Sequence, residues 1–138
     1  MSNSSNGLTP LFGRILLSAV FIIGGIGKIT GFSFEESLVA AKHLPLPSVA
    51  LGIALVIELL GGVAILTGLF TRFTAWIVFL YLIPTTFLFH NFWAVQGADR
   101  IDTMIQFEKN LAIMGGLVLL AAFGPGTYSI DSARARHG

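Results

Sequence analysis

Four apolar stretches, each long enough to cross a bilayer, follow one another along the chain with only short polar breaks between them. A spanning helix needs ~20 mostly apolar residues, within a range of about 17–25. Residues 11–29, 48–69, 73–93 and 106–123 meet that requirement. They consume nearly all of the 138 residues, so residues 1–138 read as one transmembrane domain with no internal repeat. The expected architecture is an all-α integral membrane four-helix bundle. Composition agrees: 54% of residues are hydrophobic and 11% charged, against about 25% charged in soluble domains. The mean hydropathy is +0.84, and a chain this small has too little interior to hide so much apolar surface from water.

The breaks between spans carry stop and start signals. Gly31 follows the first span, and Leu44-Pro45-Leu46-Pro47 precedes the second, where proline suits a helix entrance. Residues 68–72 read as a tight turn, residues 96–103 as a polar loop, and Gly124-Pro125-Gly126 as the end of the fourth span. The polar tail over 129–138 is expected to fray. Between spans one and two, Ser33-Phe34-Glu35-Glu36 has the form of a capping box, and Phe34, Leu38 and Ala41 recur behind it at helical spacing. This predicts a short interfacial helix, with a structured loop of no special role as the alternative. The first ten residues carry no charged side chain, and the first apolar run is long enough to stay in the bilayer, so no cleavable leader is expected.

Four spans place both termini on one side. Lysine and arginine divide evenly: Arg14, Arg72, Arg134 and Arg136 on the terminal side, Lys28, Lys42, Arg100 and Lys109 on the other. The positive-inside count is therefore tied. Lys28 and Lys109 fall inside helices, and Arg72 sits in a very short turn. Both points favour cytoplasmic termini.

Ionisable residues in a span are costly, at least ~2.5–3.5 kcal/mol at the centre, so they are where function is sought first. Glu58 lies midway along the second span, among Ala54, Gly61, Gly62 and Ile65 at helical spacing. It must pair, hydrogen-bond or take a proton. A purely structural pairing with Arg14 or Lys28 satisfies the same demand. Arg14 and Lys28 are about 40° apart around one helix and ~21 Å apart along it, with Gly24, Gly25 and Gly27 between them. Either can instead snorkel to the nearest headgroups. His90, Asn91, Lys109 and Asn110 fall at the same end as Lys28, with Glu58 ~15 Å deeper by helical rise. Together they outline a polar pocket. Glu58, His90 and Lys109 are the candidate catalytic groups; Arg14, Lys28, Asn91, Asn110 and Trp93 are candidate substrate-binding residues.

The third span is crowded with Phe73, Trp76, Phe79, Tyr81, Phe87, Phe89, Phe92 and Trp93. Lipid and helix packing accounts for them; a flat site for a quinone ring is the sharper alternative. The absence of cysteine removes thiolate nucleophiles, disulfides and cysteine-ligated metals. Histidines at 43, 90 and 137 show no paired-ligand spacing, so no metal site is expected. With a net charge of +1 and no basic run, nucleic acid is not an expected partner.

In order along the chain stand Arg14, Phe21-Ile22-Ile23-Gly24-Gly25-Ile26-Gly27-Lys28, Glu58, Ile65-Leu66-Thr67-Gly68-Leu69-Phe70-Thr71-Arg72, Phe89-His90-Asn91-Phe92-Trp93, Phe107-Glu108-Lys109-Asn110-Leu111-Ala112, Gly124-Pro125-Gly126 and Ser129-Ile130-Asp131. This ordered set resembles the DoxX family of small four-span bacterial membrane proteins. The resemblance implies a redox-associated membrane protein, since the family takes its name from a subunit of a membrane thiosulfate:quinone oxidoreductase. It would carry over Arg14, Lys28, Glu58, His90, Lys109 and Asn110. Three functions follow as expectations. One is a component of a quinone-linked oxidoreductase, with quinone or a small aromatic ligand bound and electrons supplied by a partner or the substrate. The second is a non-catalytic anchor or assembly subunit, in a homo-oligomer or with a partner oxidoreductase subunit; its glycines at 24, 25, 61, 62, 115 and 116 and its Ala112–Gly116 pair admit close helix contact. The third is a proton-coupled small-molecule carrier. Membrane lipid is a partner in all three.

Overall fold

The computed structural model describes residues 5–137, and among them there are helices and no strands. Six α-helices follow in order: α1 (Ser5–Thr30), α2 (Phe32–Ala41), α3 (Pro47–Thr67), α4 (Thr71–Phe89), α5 (Asp99–Phe123) and α6 (Ile130–His137). A 3₁₀ turn, Phe92–Ala94, joins α4 to α5. The four long helices, α1, α3, α4 and α5, are each long and apolar enough to cross a membrane. Their outer faces stay apolar and uncovered, with Ile23 70%, Leu60 66%, Leu80 59% and Leu119 59% exposed. In water such faces would drive aggregation; in lipid they are the expected surface.

Antiparallel α1 and α3 pack closely because glycine removes the side chains between them. A Cβ on Gly25 would stand 2.6 Å from Leu59 Cδ2, and one on Gly62 would stand 2.8 Å from Ile22 Cγ1. Gly61 gives α4 the same access, its missing Cβ lying 2.7 Å from Val78 Cγ2. Inside the bundle, Phe21, Ile65, Ala75, Val78, Leu82, Met114, Leu117 and Ala121 form a continuous apolar core. The ring of helices is not tightly closed: between α1 and α5 runs an apolar groove of about 700 Å³, lined by residues that include Gly13, Leu17, Ala112 and Gly116.

At the end of the bundle that holds α6, two guanidinium groups close the helix ends. Arg14, 1% exposed, donates to the carbonyls of Ile65 (3.4 Å), Leu66 (3.2 Å) and Tyr128. Arg72 donates to the carbonyls of Ala121 (2.7 Å) and Ala122 (2.6 Å). The last carbonyls of α3 and α5 have no partner within their own helices, and they carry the negative end of the helix dipole.

Four local expectations are corrected. The tail over 129–137 does not fray: it forms α6, and the Asp131 carboxylate accepts the backbone N–H of Phe70 and of Thr71, each at 2.8 Å. These are free donors at the start of α4, capped from a distant part of the chain. Gly138 lies outside the described residues. Residues 99–103 are not loop but the start of α5, whose first turn carries Asp99 and Asp102 against the positive end of the dipole. α1 begins before Leu11, running through Pro10 from Ser5. The interfacial helix α2 is present, but Ser33 is not its cap. α2 starts directly after Gly31, whose carbonyl takes the Glu35 N–H at 3.0 Å, and Glu36 instead accepts the hydroxyl of Ser48. With almost no linker between α1 and α2, Ser33 falls inside the helix rather than ahead of it.

Candidate functional site

The central feature is the Glu58 carboxylate, buried in α3 at 7% exposure. Both of its oxygens are engaged. Lys28 Nζ, from the last turn of α1, lies 3.1 Å from Oε2. Tyr81 Oη, from the middle of α4, donates to Oε1 at 2.6 Å. The absent side chain of Gly24 makes room for the carboxylate, since a Cβ there would lie 3.3 Å from Oε2. The site is thus built from three spans: α3 supplies the acid, α1 the cation and the space, α4 the hydroxyl. The charge of Glu58 is neutralised by Lys28, and the short hydrogen bond from Tyr81 is of the stronger, charge-assisted kind.

This geometry changes the depth expected from helical rise alone. Glu58 is not separated from the Lys28 level by ~15 Å, because α1 and α3 are staggered and the flexible four-carbon stem of lysine reaches inward. Lys28 is directed to the carboxylate rather than out to the headgroups.

Above Glu58, towards α2, lies a polar tier. His90 caps the C-terminus of α4, its N–H bonded to the Thr86 carbonyl at 3.1 Å. The imidazole lies within electrostatic reach of Lys28, Lys42 and Lys109. Lys42, at the end of α2, donates to Asn91 Oδ1 at 3.1 Å. Asn110 Nδ2 donates to the fully buried Thr86 Oγ1 at 3.0 Å. Lys109 reaches Gln106 Oε1 at 3.1 Å in an exposed pair. Trp93 belongs to a cluster of rings with Phe87, Phe92 and Phe107, at centroid distances of 5.3–6.1 Å and in edge-to-face or tilted contact. These rings pack on one another.

The structure therefore brings Lys28 and Glu58 into contact and gathers His90, Asn91, Lys109 and Asn110 at the adjoining end. It does not bring Arg14 there. Arg14 sits at the opposite end as a clamp on backbone carbonyls. Two contributors escaped the sequence reading. Tyr81 was one aromatic among many; the available signal is that it is the only tyrosine in the spans, and a buried phenol seeks a hydrogen-bond partner. Lys42 enters the sequence reading only as a topology charge, and its link to Asn91 joins residues far apart in sequence. Among the described residues no group of histidine, cysteine, aspartate or glutamate side chains could hold a metal ion.

Known proteins resemble the chain over most of its length. The chain is 41% identical to the inner membrane protein YqjF of Escherichia coli over 121 residues, 88% of each chain. It is 36% identical to the inner membrane protein YphA of the same organism, over 88% of this chain and 86% of that one. It is 24% identical to the ER-derived vesicles protein ERV29 of Saccharomyces cerevisiae, over 96% of this chain and 36% of that one. No solved structure matches. The sequence model of the DoxX family matches residues 9–91, the stretch that holds Arg14, Lys28, Glu58, Tyr81 and His90. With four helices fit to span and two inner membrane proteins as relatives, the chain belongs to the DoxX family of membrane proteins.

Proposed function

We propose that this protein is the membrane component of a quinone-linked redox system, with Lys28, Glu58 and Tyr81 as its proton-handling centre. The observation that carries the reading is a carboxylate inside a spanning bundle with a donor on each oxygen. Reduction of a quinone to a quinol takes up protons as well as electrons, and a site for it needs acidic groups beside the ring oxygens. Glu58 relays the proton, His90 exchanges it at the polar tier, and Lys28 and Lys109 stabilise negative charge developing on a ring oxygen. Asn91 and Asn110 offer hydrogen bonds, and the edge of the Trp93 cluster offers an aromatic wall. Electrons come from a partner subunit or a reduced donor. The test is turnover of quinone with candidate donors by the purified protein beside Glu58→Gln, which keeps the shape and removes the titrating group. A large loss of rate is expected; equal rates would remove Glu58 from the reaction.

A second reading, a non-catalytic assembly subunit, is favoured by the groove between α1 and α5. Its small residues Gly13, Ala112 and Gly116 leave room for a helix of another chain. A stoichiometric partner that co-purifies with the wild type and is lost from Gly116→Leu would support it.

A further inference from the structure

We propose that the end of the bundle carrying α6 is a binding surface for anionic lipid headgroups, with Arg134 and Arg136 as its contacts. α6 lies where α3 and α5 end and α4 begins, at the level where spanning helices meet the headgroup layer. It is fixed there. Its Asp131 N–H donates to the Gly68 carbonyl at 2.9 Å, and the Asp131 side chain caps α4 at Phe70 and Thr71. Ser129 Oγ in turn accepts the N–H of Ser132 at 3.1 Å. The basic groups are therefore presented on a docked helix.

The charge at this end is one-sided. Among the described residues Asp131 is the only acidic one here, and both of its oxygens are used in capping. Arg14 and Arg72 are spent on helix-end carbonyls. Arg134, Arg136 and His137 are exposed on the last turns of α6, with the Arg134 guanidinium 5.1 Å from the centre of the Phe70 ring. At the opposite end, Lys28, Lys42, Arg100 and Lys109 are accompanied by Glu35, Glu36, Asp99, Asp102 and Glu108, so basic charge is offset there. Around α6 the aromatic residues Phe70, Phe73, Phe123 and Tyr128 are 55–82% exposed. Of these Tyr128 is of the kind that settles at the membrane interface, and guanidinium groups at this level match a phosphodiester in charge and geometry.

A basic residue near an anionic bilayer surface gains about fivefold in binding, the equivalent of about 1 kcal/mol. The test uses the full chain in detergent micelles doped with phosphatidylglycerol or phosphatidylcholine, with retained lipid counted by native mass spectrometry. The wild type is expected to retain phosphatidylglycerol preferentially. R134Q/R136Q should reduce that preference by up to roughly 25-fold, whereas R134K/R136K and, at the other end, R100Q should keep most of it. An unchanged preference in R134Q/R136Q, or an equal loss in R100Q, would overturn the proposal. So would loss of the preference on adding excess inorganic phosphate, which would make a soluble anion the ligand. Circular dichroism of each variant reports whether the helices persist, and a glutamine variant that keeps its helices yet loses the lipid supports the assignment.

Discussion

Replacing Lys28 with methionine keeps an arm of similar length and removes the cation from Glu58. The glutamate side chain is 9% exposed and that of the lysine 24%, so water does little to screen the pair. Breaking a buried pair by removing one partner costs about 3–5 kcal/mol, and a lone acidic group at the centre of a span costs about 2.5–3.5 kcal/mol on insertion scales. Tyr81 continues to hydrogen-bond one oxygen, which places the expected loss for Lys28→Met near the bottom of these ranges, about 3 kcal/mol. Glu58→Gln should cost less, about 1–2 kcal/mol. The amide oxygen can still accept from Tyr81, and Lys28, in the last turn of α1, can swing outward to the headgroups. The double variant should be no worse than Glu58→Gln alone, giving a coupling energy of about 3 kcal/mol. Reversible unfolding in mixed micelles, with all four proteins measured in one detergent, reads this cycle. If the two single losses add to within about 0.5 kcal/mol of the double, the contact does not stabilise the bundle and the reasoning about Glu58 fails.

Docking of α6 should depend on acid. Burial raises the pKa of the Asp131 carboxyl, but hydrogen bonds from Thr71 and Phe70 and the charge of Arg134 outweigh it and hold the group below its ordinary value of 3.8. A carboxyl whose pKa is depressed by folding contributes stability that is full above its unfolded value and is lost as pH falls through the folded one. Protection of the Thr71 amide, taken relative to its intrinsic exchange rate, should therefore stay high at neutral pH and fall only below about pH 3.8; in Asp131→Ala it should be low throughout. Glycine substitutions should sort by what they meet. Gly62→Ala presses on the Phe21 Cβ and the Ile22 backbone nitrogen, at 3.2 and 3.3 Å, as well as on the Ile22 side chain, and should cost about 1–3 kcal/mol. Gly27→Ala meets nothing within 4 Å and should be neutral or slightly stabilising in the same unfolding assay.

The spans were legible because lipid leaves a helix few compositional choices over its apolar length. Their ends were less so. α5 starts at Asp99 rather than Gln106, since a helix leaving the hydrocarbon no longer needs apolar residues and its first turn welcomes acids. The order in α6 was hidden for another reason: its stability comes from bonds between Asp131 and amides some sixty positions away, which no local pattern records. At the candidate site, cost alone identified Glu58 as a residue that must be partnered. Which cation it takes depends on the stagger of α1 against α3, and that stagger is set by the contacts at Gly25 and Gly62. Arg14, equally charged and on the same helix, goes to the other end for the same geometric reason.

The apolar core has a consequence for vectorial chemistry. Phe21, Ile65, Val78 and Leu117 lie between the Glu58 tier and the arginine clamp, and the one buried polar side chain beside them on α1, Ser18, gives its hydroxyl to the Ile15 carbonyl of its own helix. On the proposed reading, a hydrogen ion that reaches the carboxylate by way of the lysines and the imidazole meets this apolar layer beyond it and returns the way it came. Such a bundle would exchange protons with one compartment only and leave the electrical seal of the bilayer intact.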